Sequence, residues 1–256
     1  MSGGRPVLEA VIFDAGGTLV RLDFEWMAEM VSGRGAPMDA ARLRRAEVEG
    51  RRRYDHSRRG PGEDAPLGGP GDVRAYLGGM LDAAGAPRGE IEDLVDRFLA
   101  REKASGIWSR PMEGARAALD GVAELGLRRA VVSNSDGRAE WHLRNAHVLE
   151  GLEFVVDSHV VGVEKPNPAI FRVALDRLGV PAARALYVGD IRSVDEGGAA
   201  AAGVHFVLID PWGDYAAPGA PAIRAIAELP THLATYFEVP RLASTARPPA
   251  GGGRTC

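Results

Sequence analysis

Residues Glu9-Ala-Val-Ile-Phe-Asp-Ala-Gly-Gly-Thr-Leu19 decide how the rest of the chain is read. An apolar run (Val7, Leu8, Ala10, Val11, Ile12, Phe13) ends abruptly in an acid and two glycines. Such a run reads as a strand buried on both faces, the kind found in parallel sheets covered by helices. Ligands of open α/β sheets bind beyond the carboxyl ends of strands, and Asp14 stands at that point. Gly16 and Gly17 carry no Cβ, so the backbone can turn sharply there and approach a ligand closely. Thr18 adds a hydroxyl donor and acceptor beside the acid. An ordinary strand end followed by a polar turn accounts for D-x-G-G equally well by itself, so the remaining segments must decide.

Working outward, two later segments repeat the design. In Arg129-Ala-Val-Val-Ser-Asn-Ser-Asp136 a short buried strand delivers Ser133 and Asn134 to a new helix start. A hydroxyl and free backbone N–H groups at such a point suit an anion. Capping by Ser135 or Asp136 of a helix running through Ala146 explains the same residues without a ligand. Ala185-Leu-Tyr-Val-Gly-Asp-Ile-Arg-Ser-Val-Asp195 ends in Asp190, and Asp195 opens the Ala-rich helix through Ala202. Two carboxylates presented together beside a third raise each other's pKa unless a cation neutralises them. Hard oxygen ligands with a substrate phosphate suit Mg²⁺. Any one of these acids can be a helix cap, Asp195 especially; three at the strand ends of one sheet are poorly explained that way.

Between these segments lie a short strand, Phe154–Asp157, and Gly162-Val-Glu-Lys-Pro-Asn-Pro-Ala-Ile-Phe171. Pro166 keeps Lys165 out of helix, and Asn167 with Pro168 marks a helix start as N-cap and N1. Val204–Ile209 reads as the last core strand, followed by a short helix after Pro230. Residues 238–256 lack periodicity and read as a flexible tail.

The segment from Phe24 to about Arg101 has helical signatures and no strand: a first helix from Phe24, a second over about 38–53 after Asp39, a third from an Asp72 cap through Ala84, and a fourth after Pro87 through about Lys103. Gly60–Gly71 reads as a loop. A block of helices between the first strand and the next α/β stretch marks an insertion. It carries Arg42, Arg44, Arg45, Arg51, Arg52, Arg53, Arg58 and Arg59. These read chiefly as a solvated face laced with Glu47, Glu49 and Asp55, against the alternative of a surface attracting an anionic substrate. Trp26 and Trp108 either line a pocket or pack.

The chain of 256 residues, 45% hydrophobic and 26% charged, has the composition of a soluble globular protein and ample length for a core. A formal net charge of -4 argues against nucleic-acid or membrane binding. The one cysteine, Cys256, excludes an intrachain disulfide and fits a reducing cytoplasm. No apolar leader or membrane span is expected. The six histidines show no metal-ligand spacing.

Phe-Asp-Ala-Gly-Gly-Thr-Leu resembles the first motif, D-x-D-G-T-L, of the haloacid dehalogenase-like superfamily. Ser133-Asn134 resembles its second motif, Glu164-Lys-Pro-Asn-Pro-Ala-Ile-Phe171 its third, and Gly189-Asp-x-x-x-x-Asp195 its fourth. The resemblance covers about residues 7–237 and implies an α/β fold: a Rossmann-like parallel sheet with helices on both faces (1–19 and 110–237) and an inserted all-helical cap domain (20–109). It implies Asp14 as nucleophile forming an aspartyl-phosphate, with Ser133, Asn134 and Thr18 at the substrate and Lys165 pairing with the nucleophile and the transferred group. Mg²⁺ would be held by Asp14, Asp190, Asp195 and the backbone carbonyl of Gly16. The family's second aspartate, the general acid of its phosphatases, is Gly16 here. The expectation is a Mg²⁺-dependent hydrolase of a small phosphorylated metabolite, a monomer or homodimer in the cytoplasm. A metal-independent 2-haloacid dehalogenase and a low-turnover binding or regulatory protein remain the alternatives, and no cap motif identifies the substrate.

Overall fold

The computed structural model describes residues 4–34, 37–59 and 71–240. Among these, the strands are β1 (Ala10–Phe13), β2 (Val20–Leu22), β3 (Trp108–Pro111), β4 (Arg128–Ser133), β5 (Val155–Asp157), β6 (Ala185–Gly189), β7 (His205–Ile209) and β8 (Ala222–Ile223). Six of them form a parallel sheet in the order β5-β4-β1-β6-β7-β8. The helices are α1 (Phe24–Ser32), α2 (Ala40–Ser57), α3 (Val73–Ala83), α4 (Ile91–Ser105), α5 (Ala115–Glu124), α6 (Ala139–Asn145), α7 (Ser158–Val161), α8 (Pro168–Leu178), α9 (Gly197–Ala202) and α10 (Leu229–Tyr236).

The pleat explains why the strand sequences are apolar throughout. Alternate residues point to opposite faces. Val11, Phe13, Val131, Leu186 and Val188 pack with Ala118, Leu119 and Val122 of α5 and Leu229 and Leu233 of α10. Ala10, Ile12, Ala130, Val132, Ala185 and Tyr187 instead meet Ile170, Phe171, Ala174 and Leu178 of α8. The order of strands then fixes the site. Phe13 lies level with Val131 on one side and Val188 on the other, so Asp14 emerges between the ends of β4 and β6.

The segment between β2 and β3 forms α1 to α4 and a 3-10 turn, around a core of its own that includes Leu22, Met27, Leu43, Leu77, Met80, Leu94 and Phe98. Asp72 and Asn167 cap α3 and α8 through their side chains, as expected, and Asp39 caps α2 in the same way. The antiparallel β2–β3 ribbon at the base of this segment was not expected, nor was the two-residue β8. Other corrections are local. Val7 is 40% exposed and bridges Glu238 outside the main sheet. Glu238 is therefore paired chain, whereas the rest of the expected tail beyond Pro240, like the loop 60–70, lies outside the described residues. Neither Ser135 nor Asp136 caps α6. Asp157, at the end of β5, accepts from the N–H groups of Gly137 (3.1 Å) and Ala139 (3.1 Å) and holds that helix start from the neighbouring strand. Among the described residues no helix is long and apolar enough to cross a membrane.

Candidate active site

Asp14, Lys165, Asp190 and Asp195 converge where β1, β4 and β6 end. The Lys165 ammonium, 1% exposed, lies 2.8 Å from Asp14 Oδ1 and 2.8 Å from Asp195 Oδ1. It also donates to the Tyr187 hydroxyl at 2.7 Å, which in turn donates to the Val132 carbonyl at 2.9 Å. Asn134 holds the lysine from behind. Its amide donates to the Lys165 carbonyl (2.9 Å) and its oxygen accepts from the Lys165 N–H (2.7 Å). Both ends of the Asn134 amide are thus committed to positioning the loop.

Asp195 is equally committed. Its Oδ2 accepts from the N–H groups of Asp190 (2.9 Å) and Ile191 (2.9 Å), while Oδ1 faces Lys165. Asp195, expected among the metal ligands, thus has one oxygen on the loop N–H groups and the other on the lysine. Gly17 has φ 73°, and a Cβ there would fall 2.1 Å from Asp190 Oδ2. Glycine is required by both the turn and the close approach. Gly16 faces Trp108, whose Cδ1 and Nε1 would lie 3.2 and 3.3 Å from a Cβ at that position. Thr18 stands apart: it is fully buried, its hydroxyl has no partner, and it does not line the cavity described below.

Sequence reasoning missed Arg51. The arginine run of α2 mostly forms surface ion pairs, but Arg51 and Arg58 are buried. Arg51 reaches out of α2, donates to the Ile209 carbonyl at 2.9 Å, and sets its Nε 3.3 Å from Asp190 Oδ2. Glu47, one turn earlier, flanks it at 3.5 Å and accepts from the Tyr76 hydroxyl at 2.6 Å. One turn later, Asp55 accepts from the Ser193 N–H (3.0 Å) and the Tyr215 hydroxyl (2.5 Å). Glu47, Arg51 and Asp55 thus form an i, i+4, i+8 stripe in which Arg51 and Asp55 dock α2 onto the ends of β6 and β7 and the loops after them, while Glu47 holds Arg51 and Tyr76. That spacing was the signal available in the sequence.

Four buried carboxylates (Asp14, Glu47, Asp190, Asp195) face two buried cations (Arg51, Lys165). Burial pushes the Asp14 carboxyl up to about 6, although Lys165 pulls it down. Burial also holds Asp190 well above the carboxylate range, against the opposing charge of Arg51. Burial works against the Lys165 ammonium, but Asp14 and then Asp195 outweigh it and keep its pKa raised. Oxygens of Asp14, Asp190 and Asp195 lie within 4.8 Å of one another. The hydrogen bonds of the first turn fall on the carbonyls of Ala15 and Val20, leaving that of Gly16 clear of them. Excess negative charge on hard oxygen donors fits a divalent cation such as Mg²⁺, with Asp14, Asp190 and the Gly16 carbonyl as the donors.

A cavity of about 340 Å³ opens over these groups. Asp14, Ser133, Asn134, Lys165 and Asp190 line it, together with Tyr54, Tyr76, Leu99 and Trp108. Trp108 therefore lines the cavity, whereas Trp26 packs on Phe98 (5.5 Å between ring centroids) beneath the guanidinium of Arg101.

Comparison with known proteins agrees with this geometry. Residues 8–203 match the family model described as haloacid dehalogenase-like hydrolase. The chain is 39% identical over 126 residues to haloacid dehalogenase-like hydrolase domain-containing protein 3 of Mus musculus, a match covering 49% of this chain and about half (50%) of that relative. It is 33% identical over 205 residues to a phosphoglycolate phosphatase of Rhodospirillum rubrum, covering 78% and 79% of the two chains. Its fold matches the magnesium-bound putative HAD-hydrolase YfnB of Bacillus subtilis with a TM-score of 0.56 at 20% identity, covering 89% of this chain and 99% of that one. With the strand-end aspartates, the lysine loop and the family match over most of its length, this chain belongs to the haloacid dehalogenase-like hydrolases.

Proposed function

We propose that this chain is a Mg²⁺-dependent phosphatase that acts on a small phosphorylated molecule through Asp14. The observation that carries this reading is the Lys165 ammonium held 2.8 Å from Asp14 Oδ1 by Asp195, Tyr187 and the Asn134 clamp. Asp14 attacks phosphorus to form an aspartyl-phosphate, a recognised use of a carboxylate nucleophile. Lys165 keeps that carboxylate oriented and offers positive charge to the phosphoryl oxygens as they approach, with the Ser133 hydroxyl beside it. Water then cleaves the acyl phosphate and regenerates the carboxylate. A bound Mg²⁺ would neutralise charge on the transferred group. The helices α1 to α4 act as a cap that shields this chemistry from bulk water, with the Glu47–Arg51–Asp55 stripe seating it on the sheet.

The 33% identity to a protein named as a phosphatase supports the phosphate reading. A metal-independent 2-haloacid dehalogenase is the second reading, and the observation favouring it is the guanidinium of Arg51 already paired with Asp190. One experiment separates the two: a panel of phosphate esters, acyl phosphates and 2-haloacids, assayed with Mg²⁺ and with excess chelator. Phosphate release that needs Mg²⁺, lost in Asp14→Asn, is expected. Halide release persisting in chelator would establish the dehalogenase instead.

A further inference from the structure

The part of the cavity that receives the leaving group has a definite chemical character, and the following inference rests on the phosphatase reading above. Three aromatic rings run along the cavity wall. Tyr54 and Tyr76 meet edge to face with centroids 6.5 Å apart, and Tyr76 and Trp108 follow at 6.3 Å. Leu99 of α4 completes the apolar surface.

Among the described residues from 20 to 109 that line the cavity, Glu102 is the one with a charged side chain. Its oxygens are spoken for: Oε2 accepts from the Ile107 N–H at 2.6 Å and Oε1 pairs with Arg138 at 3.0 Å. The Tyr76 hydroxyl is turned away to Glu47. Ser135, Asp136 and His142 also line the cavity, but a polyol or a second carboxylate lying on the Tyr76, Trp108 and Leu99 surface would lose its hydrogen bonds to water there, which is costly. A planar apolar group would instead gain offset and edge contacts with the rings.

The reacting end leads independently to the same class. At the position where the family resemblance implies a general acid stands Gly16, and the edge of the Trp108 indole would lie 3.2 Å from a Cβ there. A general acid contributes about 10²–10⁴-fold when the leaving oxygen is an alkoxide. A phenol, with a pKa of about 10, departs as its anion with far less need of that proton.

We propose that the substrate is a phosphate monoester of a small phenol, its phosphoryl group at Asp14 and its ring against Trp108 and Tyr76. Asp14 forms a bond to phosphorus as the phosphorus–aryl oxygen bond breaks, and the electron pair leaves on the phenolate, which takes its proton from water. A second water then delivers hydroxide to the acyl phosphate, giving inorganic phosphate and the free carboxylate, and the proton it releases neutralises the hydroxide left when the phenolate was protonated. The volume of 340 Å³ stands near the lower end of ligand sites, which suits one or two fused rings.

The test compares phenyl, 1-naphthyl and benzyl phosphates with glycerol 3-phosphate and acetyl phosphate, all with Mg²⁺. The aryl esters should exceed glycerol 3-phosphate by about 100-fold or more in kcat/KM, within the range a missing acid leaves. Benzyl phosphate, aromatic but with an alkoxide leaving group, should share the low KM of phenyl phosphate and show a low kcat. In Leu99→Ser, a partly exposed position, KM for 1-naphthyl phosphate should rise about tenfold, lowering its kcat/KM relative to that for acetyl phosphate. Hydrolysis of acetyl phosphate with aryl esters no better than glycerol 3-phosphate would overturn the phenol assignment and leave the phosphatase reading standing. So would a benzyl phosphate KM equal to that of glycerol 3-phosphate. Turnover of none of the five would overturn both.

Discussion

Replacing Lys165 by Met tests the arrangement at its centre. The side chains are similar in length, so the change removes charge and hydrogen bonds with little loss of packing. Three contacts disappear: Asp14 at 2.8 Å, Asp195 at 2.8 Å and the Tyr187 hydroxyl at 2.7 Å. Breaking a buried pair by removing one partner costs about 3–5 kcal/mol, because the abandoned charge stays buried. Here two carboxylates are abandoned, which places the expected loss toward the upper end. At about 2–4 °C per kcal/mol for a chain of this size, Tm should fall by about 6–20 °C. Urea unfolding followed by tryptophan fluorescence, in chelator, measures the loss directly. Adding Asp195→Asn should recover part of it, since the amide oxygen can still accept from the Asp190 and Ile191 N–H groups while one stranded charge is gone. The double variant should thus be more stable than the sum of the singles by about 0.5–3 kcal/mol. A loss below about 1 kcal/mol, with additive singles, would refute the claim that Lys165 neutralises this cluster.

The other predictions concern the groups around that cluster. Arg51→Met removes a positive charge beside Asp190, so Mg²⁺ binding followed by titration calorimetry should tighten by about tenfold or more, an effect of about 1.4 kcal/mol; weaker binding would show that Arg51 supports the site instead of competing for it. The same variant should loosen α2 from the sheet, seen as faster amide exchange in α2. Gly16→Asp should fail to accelerate hydrolysis of alkyl phosphates by itself, because its Cβ meets Trp108 at 3.2 Å. Combined with Trp108→Val it should speed benzyl phosphate relative to phenyl phosphate; an unchanged ratio in a folded double variant would remove the missing acid from the explanation.

What could be read from the sequence was what the chain decides locally. An apolar run covered on both faces and ended by an acid carries its burial in adjacent residues, so the place of Asp14 and Asp190 at strand ends needed no tertiary information. Asn167-Pro168 declares a helix start in the same way. Arg51 failed that test because its meaning lies in partners far along the chain: the Ile209 carbonyl is 158 residues away. Within α2 it is one arginine among many, and only the docking of the helix separates it from Arg52 and Arg53, which stay exposed. Asp157 behaves similarly, since a strand-end acid can cap a helix 18 residues earlier only once β4 and β5 are paired. Trp108 shows the reverse dependence. The sequence shows a glycine at position 16 but not what lies beside it, because the β2–β3 ribbon that brings the indole there is too short to announce itself. Residue 16 and the aromatic wall therefore meet in one packing contact, so a side chain added at position 16 has to move the Trp108 ring.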